Sequence, residues 1–173
     1  MKYYLLSILF FFNLILSQSV DEYDLKAVYF NRISEFINWP DSIFVKKDGS
    51  RKFILAVYGE DPFEGRLRTI YNNYKILDMD VEIKYLDELD DINECHLLFV
   101  SSSEERNLKK IVKQVRGKPI LTVSDTEGFG EKGIMLNILA DSKGVHFVVN
   151  KTSEKNSAIS ISTRFMKYAK VVE

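Results

Sequence analysis

The stretch Gly117-Lys118-Pro119-Ile120-Leu121-Thr122-Val123-Ser124-Asp125-Thr126-Glu127-Gly128-Phe129-Gly130-Glu131-Lys132-Gly133-Ile134-Met135-Leu136-Asn137 decides how the chain is read. It opens as an apolar strand, Ile120 to Ser124, crosses a loop with three glycines, and returns as a second apolar run, Ile134 to Leu139. Within it Gly128 to Gly133 matches G-x-G-x-x-G, the pattern that holds a pyrophosphate when a strand precedes it and a helix follows. Here the run behind the third glycine is short and soon broken by Asp141 and Gly144, so it reads as strand. A strand offers no converging free N–H groups and no macrodipole for phosphate. The glycines are therefore assigned to loop geometry, which needs their freedom at positive φ.

Upstream of this stretch, strands alternate with helices. Phe53 to Tyr58 is an unbroken apolar run suited to a strand covered on both faces, Phe63 to Tyr71 has helical spacing, and Val81 to Tyr85 alternates as a strand. Cys95 to Val100 is the next strand. Ser102 and Glu105 stand as a capping box before a helix with Leu108, Ile111, Val112 and Val115 on one face, closed by Gly117. Such alternation implies crossover connections and a parallel sheet. Downstream it breaks, because Ile134 to Leu139 and Gly144 to Val149 are close enough for an antiparallel hairpin. A first helix is expected from Asp21 to Asn38, with Leu25, Val28, Tyr29, Ile33, Phe36 and Ile37 inward, ended by Trp39-Pro40. A last helix is expected over Ser162 to Lys170. The expected fold is α/β: a single domain with a mixed sheet of about six strands, parallel with a C-terminal antiparallel hairpin, flanked by helices.

The chain has 173 residues and begins with Met1-Lys2, an apolar segment from Tyr3 to Leu16 and the triplet Ser17-Gln18-Ser19. This reads as a cleaved secretory leader, residues 1–19, followed by one domain, residues 20–173; an uncleaved N-terminal anchor is the alternative. Basic residues number 24 and acidic 25, and the leader removes Lys2 and no acid, so the mature chain is slightly acidic. That balance gives no general attraction to nucleic acid or anionic membrane. With Cys95 the only cysteine, no disulfide can form within the chain. Its thiol is either buried at the start of its strand or paired with another chain.

Catalytic patterns are absent from the reading. There is no G-x-S-x-G, and Cys95 and His96, as strand neighbours, point to opposite faces. His96 and His146 sit in apolar strands as structural residues, Glu60-Asp61 and Asp78 with Asp80 belong to turns, and Asp87, Glu88, Asp90 and Asp91 do not follow calcium-loop spacing. No catalytic residue, cofactor or metal site is assigned.

A series of short motifs runs through the chain. It comprises Lys26-Ala27-Val28-Tyr29 with Phe36-Ile37-Asn38-Trp39-Pro40; Tyr58-Gly59-Glu60-Asp61-Pro62-Phe63; and Cys95-His96-Leu97-Leu98-Phe99-Val100-Ser101. Leu121-Thr122-Val123-Ser124-Asp125 with Gly128-Phe129, Met135-Leu136-Asn137, Phe147-Val148-Val149-Asn150 and Ile159-Ser160-Ile161-Ser162 complete it. In this order and spacing the chain resembles the YfiR family over Leu25 to Ala169. The resemblance implies a periplasmic, non-enzymatic regulator, usually dimeric, that represses a membrane diguanylate cyclase by binding its periplasmic part and so lowers cyclic di-GMP and biofilm formation. Cys95 matches one family cysteine, but the disulfides of redox-controlled members have no second cysteine here.

Six residues are candidates for partner or ligand contacts: Trp39, Asp125, Phe129, Asn150, Ser162 and Arg164. Phe129, between two glycines, is a contact residue if exposed and a plug for the sheet end if buried. Two other readings use the same sequence. In one, the chain is a periplasmic small-ligand sensor for a different membrane receptor or kinase, with Trp39, Phe129 or the segment from Asn150 to Arg164 forming the pocket and Arg164 pairing with a carboxylate. In the other, it is an enzyme of unrecognised type.

Overall fold

A computed structural model describes residues 22–45, 49–142 and 144–173, without the side chains of residues 90 and 91; the proposed leader lies outside the described residues. In chain order the elements are helix α1 (Glu22–Ser34), strand β1 (Ile37–Asn38), a 3-10 turn (Asp41–Phe44), β2 (Phe53–Tyr58), α2 (Arg66–Tyr71) and β3 (Val81–Leu86). A 3-10 segment (Leu89–Glu94), β4 (Leu97–Val100), a second (Ser102–Asn107), α3 (Leu108–Val115), β5 (Leu121–Ser124), β6 (Leu136–Asp141) and β7 (Gly144–Asn150) follow. The chain finishes with α4 (Lys151–Lys155), β8 (Ser160–Ile161), α5 (Thr163–Met166) and β9 (Ala169–Val172).

Seven strands form one mixed sheet in the order β3-β2-β4-β5-β6-β7-β9, and β1 pairs with β8 in a separate two-stranded sheet. β3 through β6 are parallel, β6 and β7 form the antiparallel hairpin, and β9 runs parallel to β7. The order turns back on itself at β2, so connections travelling in opposite directions cover opposite faces of the sheet. The side chains record this. Phe53, Leu55, Val57, Leu97 and Phe99 share one core with Phe30 of α1 and Leu67 and Tyr71 of α2. Ile54, Ala56, Leu98 and Val100 share the other with Leu89, Ile92, and Leu108 and Ile111 of α3. Every residue of β2 is buried, which is why its sequence is an apolar run without alternation.

The α/β class, the parallel part and the hairpin agree with the sequence reading, while four details differ. First, α1 stops at Ser34, because the next residues are drawn into extended pairing: Ile37 and Asn38 lie opposite Ile161 and Ser160. Second, its buried side is Lys26, Ala27, Phe30, Ile33 and Ser34, whereas Val28 is exposed. Third, the capping box before α3 does not form; residues 102–107 wind as 3-10 and the Glu105 carboxylate is taken by Lys132 at 2.7 Å. Fourth, the last helix is one turn, and Ala169–Val172 adds the seventh strand by pairing with β7.

The connection from β5 to β6 positions the site. Parallel neighbours usually need a crossover helix, but here residues 125–135 cross the sheet end as a compact series of turns. Phe129 and Ile134, both fully buried, enter the second core and fill part of the space that helix would cover.

Candidate functional site

Two polar assemblies meet at the C-terminal end of β5. The first is charged. Lys26 is only 3% exposed, although an ammonium buried alone is costly. Its Nζ donates to Asp125 Oδ2 at 2.7 Å, pairs with Glu22 one turn earlier, and lies 4.4 Å from the centre of the Tyr23 ring. Burial alone would push the Lys26 pKa down, but the hydrogen bonds to Asp125 and Glu22 outweigh it and hold the amine above its usual value. Burial, with the negative charge of Asp125 beside it, likewise raises the Tyr23 phenol. Thus α1 is fastened to the sheet by a buried charge cluster.

The second assembly fixes the glycine loop. Asn150 Nδ2 donates to the Gly130 carbonyl at 2.8 Å, while its Oδ1 accepts from Ser153 N–H at 2.7 Å and caps α4. Ser153 Oγ donates to Gly133 O, Thr122 Oγ1 accepts from Met135 N–H, and Asn137 Nδ2 donates to Thr126 O. The glycines make this closeness possible. A Cβ on Gly133, at φ +109°, would stand 3.0 Å from Val112 Cγ2, and one on Gly130 would meet Val148 Cγ1 at 3.1 Å. The element after Gly133 is strand β6, as the sequence reading expects.

In open α/β sheets ligands favour the crevice where the strand order reverses, outside the C-terminal ends of the strands. That position lies between β2 and β4. Gly59, at φ +93°, packs so tightly against the following loop that a Cβ would sit 2.5 Å from Ser103 Oγ, and Glu60 N–H donates to that hydroxyl at 3.0 Å. The 101–104 loop thus closes directly on Gly59 at this position. The neighbouring Asp61 closes the turn before α2, accepting from Phe63 and Gly65 N–H.

Of the six sequence candidates, Asp125, Phe129 and Asn150 come together around the loop. Phe129 is wholly buried beneath it, which makes it the plug and removes it as a contact residue. Trp39 lies at the other end of the sheet, half-buried and edge-on to Phe44 and Phe53, with Nε1–H donated to Ser34 O. Ser162 caps α5 through its hydroxyl, and Arg164 is exposed on that turn. The sequence reading missed Lys26, Glu22 and Tyr23. The available signal was the place of Lys26 within the motif Lys26-Ala27-Val28-Tyr29.

His96 is a structural bridge. Its Nδ1 accepts from Ile54 N–H at 2.7 Å, so Nε2 carries the hydrogen and donates to Ile43 O at 3.0 Å. His146 is instead exposed on the hairpin and pairs with Asp141 at 3.0 Å. Cys95 is buried on the opposite side from His96, and its thiol donates to Ile92 O. Among the described residues no group of three or more His, Cys, Asp and Glu is placed to hold a metal ion, and no helix is long and apolar enough to cross a membrane.

A family model described as YfiR/HmsC-like matches residues 23–170. No curated protein matches the chain.

Proposed function

The chain belongs to the YfiR/HmsC-like family, and from that premise we propose that it is an exported, non-enzymatic regulatory protein that docks on the periplasmic part of an inner-membrane signalling protein. The partner in this reading is a diguanylate cyclase, which the protein represses, lowering cyclic di-GMP. Residues 1–19 act as the leader, residues 20–173 as the working domain, and the domain operates as a homodimer.

One observation carries the regulatory reading. The polar residues of the family-like motifs that surround the sheet end are spent on holding the chain to itself, Lys26 on Asp125 and Asn150 on Gly130 and Ser153, while Gly59 packs against Ser103. At the reversal crevice, where an α/β enzyme would place its substrate, the 101–104 loop packs directly on Gly59. A domain tied to itself in this way suits recognition by surface shape.

The test is a pull-down from solubilised inner membranes with the tagged mature protein. An inner-membrane signalling protein should be retained, and loss of the gene should raise cyclic di-GMP. Retention of soluble periplasmic proteins alone, with unchanged cyclic di-GMP, would overturn the reading.

A further inference from the structure

Replacing the β5–β6 crossover helix by a loop leaves part of one sheet face uncovered. Phe129 fills part of the space. Between α3 and α4 a cavity of about 240 Å³ remains. Val112, Val115, Ile120 and Met135 give it apolar walls, and Arg116 and Asn156 stand on its rim. The rim charges differ in availability. Lys132 is paired with Glu105 and Glu131 with Lys170. Arg116 makes no ion pair among the described residues, and its planar, permanently charged guanidinium suits a carboxylate.

We propose that this cavity binds a small aliphatic carboxylate, with the hydrocarbon chain against Val112, Val115, Ile120 and Met135 and the carboxylate on Arg116. The guanidinium at the mouth and the apolar floor together specify an anion at one end and a hydrocarbon at the other. The position modifies the sequence reading, in which Arg164 was the carboxylate partner: the segment after Asn150 does border the cavity through Asn156, but Arg164 does not. Glu173, exposed at the end of the chain, also borders the mouth and opposes the bound charge.

The site is tested on the isolated chain from Val20 onward, with butyrate, hexanoate and octanoate as probes and hexanol as the uncharged control, followed by amide chemical shifts. Shifts should concentrate in residues 108–116, 131–135 and 151–157. Affinity should rise about fourfold per added methylene until the cavity is full. Arg116→Gln should weaken hexanoate about tenfold and leave hexanol unchanged, whereas Glu173→Gln should tighten hexanoate. Val115→Phe, which fills the cavity, should abolish binding. If that variant fails to fold, the opposed effects at Arg116 and Glu173 still decide. Absence of shifts in those segments at millimolar probe, shifts scattered over the surface, or equal binding of hexanol and hexanoate would overturn the site. Since no membrane partner takes part, failure here leaves the docking reading intact, and failure of the pull-down leaves this one intact.

Discussion

Lys26 and Asp125 are 99 residues apart in the chain, yet the ammonium of one lies 2.7 Å from the carboxylate of the other, with the lysine side chain 4% and the aspartate side chain 11% exposed. Removing Asp125 leaves the buried ammonium only the exposed Glu22 carboxylate as a partner, whereas replacing both members of the pair with apolar groups can be nearly neutral. Asp125→Ala should therefore lower the unfolding free energy by about 3 kcal/mol in denaturant titrations. Lys26→Met together with Asp125→Leu should recover most of that loss. Equal destabilisation by the single and double replacements would show that the pair is not what fastens α1 to the sheet.

Phe129→Ala empties the space beneath the glycine loop. A wholly buried phenylalanine truncated to alanine costs about 3–5 kcal/mol, so the melting temperature should fall steeply. Phe129→Leu should restore much of the stability, since it keeps most of the volume. A normal melting temperature combined with lost partner binding would instead mark Phe129 as a contact residue.

Alkaline pH should destabilise the protein through its one thiol. Burial pushes the Cys95 pKa up to about 12 from 9.0. Below pH 9 the thiol is protonated in both folded and unfolded chains and has no effect on stability. Above it the unfolded chain ionises first, so stability declines by up to about 1.4 kcal/mol per pH unit until the folded value is reached. Tyr71, whose hydroxyl donates to Ala27 O in the core, is raised by burial in the same sense and adds to the decline at higher pH. Thermal melts of the wild type and Cys95→Ala between pH 8 and pH 11 should diverge, with the variant the flatter of the two. Parallel curves would mean that Cys95 does not set the alkaline limit.

What was legible in the sequence is what periodicity and local breakers encode. β2 announces itself as six apolar residues because both of its faces are covered, and Gly117 ends the helical region of α3 with the left-handed turn its φ of +74° requires. Long-range pairing is what hid the rest. The inward side of α1 was misread because Lys26 looks polar until Asp125 neutralises it, and nothing within a helical window reports a residue 99 positions away. The final helix was extended too far because Ala169–Val172 becomes a strand only through β7. Within the candidate site, the loop and the structural use of its glycines could be read, whereas the cavity beside α3 depends on how three distant segments converge.

The small β1–β8 sheet joins residues 37–38 to residues 160–161, nearly the whole length of the domain. Together with the tie between α1 and β5, it leaves the first helix without its final partners until the last segments are available. Contacts that span so much chain must close large loops before they stabilise anything, which slows folding relative to a chain built from local contacts. A ribosome releasing this polypeptide from its N-terminus would thus deliver β2 to β6 with their pairing partners first, and the first helix would be locked in place only when the last segments emerge.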